Sequence, residues 1–218
     1  MNFKLQLTRA FILSLLCAIA FGLIAYLISA HRIAQFDSTI SSFIQSFETP
    51  TLTSVMEMFS FIGSGLMVVL LSLFVLFYQY KFLKHRSELV LFIAVVAGSG
   101  IMNQVLKSLF HRNRPSLHQL VEAGGFSFPS GHSMEAAAFY GILTYLLWRH
   151  IDSHAERGIL VFLSTAMIIL IGVSRIYLGV HYPSDVLGGY IASGFWLFAA
   201  IWVHQMYKES QSERSKNE

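Results

Sequence analysis

Hydrophobic residues in this chain fall in long blocks, not at alternate positions as in a half-buried strand. Six blocks are long enough for a helix to cross about 30 Å of hydrocarbon. They lie at 10–30, 59–77, 89–106, 130–148, 158–174 and 186–203, the fourth and fifth being short or interrupted by polar residues. The pattern predicts an all-α fold, a six-helix transmembrane bundle. Residues 33–48 follow a different rule. Ile33, Phe36, Ile40, Phe43, Ile44 and Phe47 recur at roughly helical spacing, with Gln35, Asp37, Ser41, Ser42 and Gln45 between them. That predicts a short amphipathic interfacial helix on the outer side, ending near Pro50. Beyond residue 207 the chain turns polar, which divides it into a six-span domain, 1–207, and a frayed C-terminal tail, 208–218.

Composition sharpens the reading. Only 12% of the 218 residues are charged and 55% are hydrophobic, with a mean hydropathy of +0.59. A soluble domain carries about 25% charged residues, so a soluble enzyme, a disordered chain and a disulfide-stapled secreted domain are excluded. Long blocks also argue against an outer-membrane barrel, whose strands are alternating segments of about 10 residues. The single cysteine, Cys17, lies in an apolar block and offers neither a disulfide nor a thiolate cluster. Lys4 and Arg9 flank the first block as in a secretory signal. Its apolar run exceeds the roughly 7–15 residues of a cleaved signal, and Ile28-Ser29-Ala30 is a poor cleavage site, so it reads as a retained anchor.

The few charges give orientation. An even number of spans puts both termini on one side. With the N-terminus cytoplasmic, the inner segments hold Lys4, Arg9, Lys81, Lys84, Arg86, Arg149, Arg157, Lys208, Arg214 and Lys216. The outer segments hold Arg32, Lys107, Arg112, Arg114 and Arg175. This bias predicts a multi-pass cell-membrane protein with both termini cytoplasmic. The net charge of +3 is read as orientation signal, with no nucleic-acid partner expected.

Outside the spans lie three polar clusters. The first runs from Lys107 through His111, Arg112 and Asn113 to Arg114-Pro115; the second is Pro129-Ser130-Gly131-His132; the third links Ser174-Arg175 to His181 and Asp185. Counting helices places all three at the same membrane boundary, facing outside. Their groups suit phosphoryl transfer. Lys107, Arg114 and Arg175 offer positive charge and forked donors for phosphate oxygens. Ser130-Gly131 opens a helix, whose free N–H groups favour an anion. His181 and Asp185 are four apart, so the carboxylate can hold one ring nitrogen and leave the other as nucleophile. His132 is then free to serve as general acid. No carboxylate pair or His/Asp set has two-metal spacing, so a metal-independent reaction without cofactor is expected.

The combined pattern, K-x6-RP, PSGH and SR-x5-H-x3-D, resembles the type 2 phosphatidic acid phosphatase superfamily, whose membrane members have six helices and dephosphorylate lipid phosphates. The motifs match in order and internal spacing. The resemblance implies that Lys107, Arg114 and Arg175 bind phosphate, with Ser130 and the Gly131 backbone completing the cradle. It implies a phosphohistidine at His181, orientation by Asp185, and His132 protonating the leaving group and then activating water.

Other residues have plainer readings. Arg112 falls inside a spacer and reads as a snorkelling cation at a helix end. Pro183 reads as a helix starter, and His111, His118, His150, His154 and His204 as ordinary interfacial or packing histidines. Glu135 lies one turn inside the fourth span, where an ionisable group usually has a partner. It divides between lining the site, helping to select a headgroup, and simple exposure near the interface. Asn103, one turn before Lys107, is a candidate to orient it.

Within the superfamily the chain resembles phosphatidylglycerophosphate phosphatases and undecaprenyl pyrophosphate phosphatases. The resemblance implies a lipid phosphate entering sideways from the bilayer, phosphatidylglycerophosphate first, undecaprenyl pyrophosphate second, and phosphatidic acid for a broader enzyme. No obligate protein partner is evident. A lipid transporter or flippase is the alternative of a different class, but transport sites sit near the midplane, whereas these polar groups gather at one end. A catalytically dead binding protein would have no need of three intact motifs.

Overall fold

The computed structural model describes residues 3–83, 86–116 and 118–217. Lys84, counted above on the inner side, lies outside them, as do the side chains of Lys4, Arg86 and Lys216. The described residues form helices α1 (Phe3–Ser29), α2 (Ala34–Gln45), α3 (Pro50–Ile62) and α4 (Gly65–Tyr78). A π-helical turn, Gln79–Leu83, leads to α5 (Arg86–Phe110), α6 (Gly131–Trp148), α7 (His154–Tyr177) and α8 (Pro183–Asn217). No strand occurs among the described residues.

Four helical stretches, Leu7–Ser29, Ser87–Phe110, His154–Tyr177 and Pro183–Arg214, are long and apolar enough to cross a membrane. The count is five when the bent pair of α3 and α4 is taken as one span. The expected block 130–148 corresponds to α6, which falls outside that set. Its first turns carry His132, Ser133 and Glu135. These residues are sheltered by protein, since α6 sits centrally and packs against α4, α5, α7 and α8. Phe92, Val95, Ala138, Phe139, Ile142, Leu146 and Leu197 form the core around it. The outer surface is the reverse of a soluble protein's: Phe74 is 68% and Phe162 70% exposed. Apolar side chains turned outward on this scale mark a lipid-facing surface. The chain is a multi-pass membrane protein.

Two expectations near the N-terminus are corrected. Pro50 does not close a helix but opens α3, where Thr49 caps the end by accepting from the Leu52 N–H at 3.2 Å. Proline suits that first position because the missing N–H would have had no helical partner. The expected span 59–77 is also not straight: α3 and α4 meet at 53°. Ser64 starts α4 by accepting from the Met67 N–H. At Gly63 a Cβ would stand 2.3 Å from Ile171 Cγ2, so only glycine lets the bend press against α7. At the other end, α8 continues as helix through the residues expected to form a frayed tail.

Helix α2 packs against α7 and α8. Its Phe36 and Phe43 point outward, 42 and 62% exposed, while Asp37 is turned into the protein, 2% exposed, and Ile44 packs beside Tyr177.

Candidate active site

The three sequence clusters meet at one end of the bundle. Lys107 occupies the last turn of α5. His111 then adopts a left-handed backbone, φ +48°, and ends the helix. The chain returns over the site as a loop, closed at its far end by Phe128, which packs against Phe21 and Phe110. Ser130 caps α6 by accepting from the Ser133 N–H at 3.4 Å, and also accepts from the Ser133 hydroxyl at 2.9 Å. Its own N–H donates to the Asp185 carbonyl at 3.0 Å, which joins the second motif to the third. At Gly189 of α8 a Cβ would come 2.8 Å from the Ser130 carbonyl oxygen, so glycine permits the approach.

Arg114 makes the contact that decides the protonation of His181. Its Nη1 donates to the Val180 carbonyl at 2.8 Å and lies 3.1 Å from His181 Nε2. Nη2 donates to the Gly124 carbonyl at 2.8 Å. A guanidinium has only donors, so Nε2 must present its lone pair and Nδ1 must carry the ring proton. Nδ1 faces Asp185 Oδ2 at 3.5 Å, longer than a good hydrogen bond. Burial pushes the His181 imidazole down to about 4, and Asp185 only partly opposes this. Burial also pulls the Arg114 guanidinium below its ordinary value, with Asp185 opposing.

Arg175 is 6% exposed at the end of α7. Its Nη1 donates to the Ser60 hydroxyl of α3. Its Nε is buried without a hydrogen-bond partner among the described residues. A buried, unpaired guanidinium N–H is costly, and an anionic oxygen would satisfy it. Lys107 Nζ lies 3.9 Å from where a Cβ of Gly131 would be. His132 lies within electrostatic reach of Arg175, His181, Lys107 and Arg114. The cradle therefore combines three cations, a helix N-terminus and two histidines. Such a set can bind a phosphoryl group, attack it and protonate its leaving oxygen.

Asn103 is 3% exposed and spends its amide hydrogens on the Pro129 carbonyl and Met134 Sδ, both at 3.1 Å. It holds the turn that opens α6. Glu135 feels the charge of Lys107, and its carboxylate lies near Gly65 of α4. It lines a cavity of about 270 Å³ between α4 and α5 whose walls are otherwise mainly apolar, Val69, Leu73, Phe92 and Ile93 among them.

Arg112 corrects the sequence reading. It is not a snorkelling cation. Nη2 donates to Asp37 Oδ2 at 2.7 Å, and Nη1 donates to Asp185 Oδ1 at 2.6 Å and to the Ser184 hydroxyl at 2.8 Å. Burial lowers its basicity, but Asp185 and Asp37 outweigh that and hold it above the usual guanidinium value. Asp37 and Ser60 were likewise missed. Each is one polar residue among several in its helix, Asp37 beside Gln35, Ser41 and Ser42 and Ser60 beside Thr53, Ser54 and Glu57, so nothing in the sequence singled it out.

A family model described as the PAP2 superfamily matches residues 88–209. The chain is 34% identical over 183 residues to phosphatidylglycerophosphatase B of Bacillus subtilis, spanning 83% of this chain and 89% of that one. It is 29% identical over 162 residues to an Escherichia coli protein with the provisional name undecaprenyl-diphosphatase YbjG, spanning 70% and 77% respectively. The fold superposes on the crystal structure of a transmembrane PAP2-type phosphatidylglycerolphosphate phosphatase from Bacillus subtilis with a TM-score of 0.75. That match has 28% identity and covers 91% of this chain and 96% of the other. The chain belongs to the PAP2 superfamily and is a membrane phosphatase.

Proposed function

We propose that this protein is an integral-membrane lipid phosphate phosphatase whose preferred substrate is phosphatidylglycerophosphate, hydrolysed through a phosphohistidine on His181. The observation that carries the chemistry is the setting of the His181 ring: Arg114 Nη1 lies 3.1 Å from Nε2 while Nδ1 faces Asp185 Oδ2 at 3.5 Å. The lone pair on Nε2 is thus already directed toward the guanidinium that would hold the phosphate.

In this reading Lys107, Arg114, Arg175, Ser130 and the Gly131 N–H bind the three non-bridging phosphate oxygens. Nε2 attacks phosphorus as the P–O bond to the lipid breaks, and His132 gives its proton to the departing alkoxide. The ring becomes cationic, with Asp185 facing its Nδ1 proton. Water, deprotonated by His132, then attacks phosphorus, releasing phosphate and restoring neutral His181. The protein groups supply the whole charge balance, so the reaction is metal-independent.

The substrate reading draws on the similarity to phosphatidylglycerophosphatase B and on Glu135, placed between the cradle and the α4–α5 cavity. Glu135 reads the headgroup and Asn103 supports the cradle wall. The second substrate reading, undecaprenyl pyrophosphate, is favoured by the Escherichia coli relative. Counting α6 as a span beside the bent α3–α4 pair gives six crossings, both termini cytoplasmic and the site on the outer face of the cell membrane. Residues 1–207 form the catalytic unit and 208–218 an appended tail.

The test is phosphate release from purified phosphatidylglycerophosphate, undecaprenyl pyrophosphate and phosphatidic acid, in EDTA, with wild type and His181→Ala. We expect activity to survive EDTA, to be highest on phosphatidylglycerophosphate, and to vanish in His181→Ala. Loss with EDTA overturns the metal-free step, and an active His181→Ala overturns the nucleophile.

A further inference from the structure

The bonds around Arg112 form a closed set in which the donors and acceptors match. Asp37 Oδ1 accepts from the Ser184 N–H at 2.9 Å, and Oδ2 accepts from the Ser184 hydroxyl at 2.7 Å and from Arg112 Nη2 at 2.7 Å. The same hydroxyl, having donated to Asp37, accepts from Arg112 Nη1. Nη1 uses its other hydrogen on Asp185 Oδ1, while Asp185 Oδ2 accepts from the Tyr182 N–H at 2.9 Å. The guanidinium lies 4.2 Å from the centre of the Tyr182 ring. Asp37 and Asp185 are 2% and 0% exposed.

We propose that Asp37 and Arg112 are positioning residues for the hydrolytic site: Asp37, on the inward face of α2, holds Arg112, and Arg112 fixes the Asp185 carboxylate that faces His181. The inference rests on the proposed role of His181 as nucleophile.

Two effects link Arg112 to His181. The first is geometric. Asp185 must meet the Nδ1 proton as the ring gains charge, and the present 3.5 Å separation leaves little tolerance for a carboxylate free to rotate. Arg112 on one oxygen and the Tyr182 N–H on the other fix its plane. The second is electrostatic. Two carboxylates face one guanidinium, so Arg112 offsets part of the negative charge seen by His181. The other groups facing that ring are Arg114 from the loop, Arg175 from α7 and His132 from α6. Removing Arg112 therefore makes His181 easier to protonate, and removing the charge of Asp37 makes it harder.

The opposite signs provide the test. Rates are measured against pH with phosphatidylglycerophosphate in detergent micelles, for wild type, Arg112→Gln, Arg112→Lys and Asp37→Asn. Monodisperse elution and Tm are recorded for each. We expect Arg112→Gln to lower kcat on the order of tenfold to a hundredfold, the scale of a misplaced catalytic group, with KM little changed and the acid limb of kcat/KM moved to higher pH. Asp37→Asn, nearly isosteric, lowers kcat less and moves the limb to lower pH. Arg112→Lys keeps the charge and returns the limb toward wild type. Limbs that stay put or move together while only Tm falls would show a purely structural bracket and overturn the proposal. A raised KM at unchanged kcat would place Arg112 on the substrate and overturn it too. Wild-type activity and its loss in His181→Ala, run in the same assay, test the nucleophile separately.

Discussion

The two halves of the chain contribute to one site in different ways. From α5 to α8, functional residues come in short dense motifs at helix ends: Lys107 to Arg114, Ser130 to His132, Arg175 to Asp185. From α1 to α4 the contributions are isolated. Asp37 of α2 reaches Arg112 and Ser184, Ser60 of α3 receives Arg175, and Gly65 of α4 lies beside Glu135. The matched family region, 88–209, covers only the first kind. The difference teaches that groups doing chemistry on one phosphoryl unit must cluster within a few ångströms and so leave local patterns. Groups that aim them can come from anywhere the helices meet.

The comparison breaks most sharply at Arg175, which belongs to both halves. Arg175→Lys keeps a positive charge but loses the fork that serves Ser60 through Nη1 and leaves Nε free for phosphate. Removing one such preorganised donor costs about 10²–10³ in kcat. We expect a loss of that order in phosphate release at saturating substrate. A lysine variant within a fewfold of wild type would mean that charge alone suffices at this position.

The next test uses acidity. As the proposed nucleophile, His181 would have to be neutral at Nε2, and burial has pushed it down to about 4 from the ordinary value of 6.5, with Asp185 raising it and Arg114 and Arg175 lowering it. The free enzyme should hold activity from neutral pH down toward about 4 and then lose about tenfold for each further pH unit. The same depressed value makes folding less favourable as pH falls from 6.5 to 4, because there the unfolded chain binds a proton the folded site refuses. A kcat/KM profile with its acid limb near 6.5 would mean that the pocket does not depress His181.

Legibility in the sequence followed the same division. Hydrophobic blocks marked α1, α5, α7 and α8, because each is a long run that must face lipid or core. They failed at α3 and α4, where Gly63 ends one helix and Ser64 caps the next inside what reads as a single apolar block. Periodicity located α2 and its two faces. It could not say that Asp37 would turn into the protein while Phe36 and Phe43 turned outward. Lys107 and Asp185 were readable as polar residues at helix ends, and Arg114 and His181 as polar residues in the short segments beside them. Arg112 was misread, as its partner Asp37 is 75 residues away.

The smallest expected effect is the most useful for separating aim from chemistry. Ser60→Ala removes the hydroxyl that receives Arg175 Nη1 and touches nothing else in the cradle. A buried donor left without its acceptor costs roughly 1–3 kcal/mol, and more when it is charged. Part of that cost disappears once a phosphate oxygen binds the freed N–H. The variant should therefore show a lower Tm in the absence of substrate, a partial recovery of Tm in inorganic phosphate, and a kcat reduced by about tenfold or less. A thermal shift assay with and without phosphate reads both changes. If Ser60→Ala were as damaging to kcat as Arg175→Lys, the α3 hydroxyl would have to be part of the phosphate cradle itself, and the N-terminal half would carry chemistry as well as support.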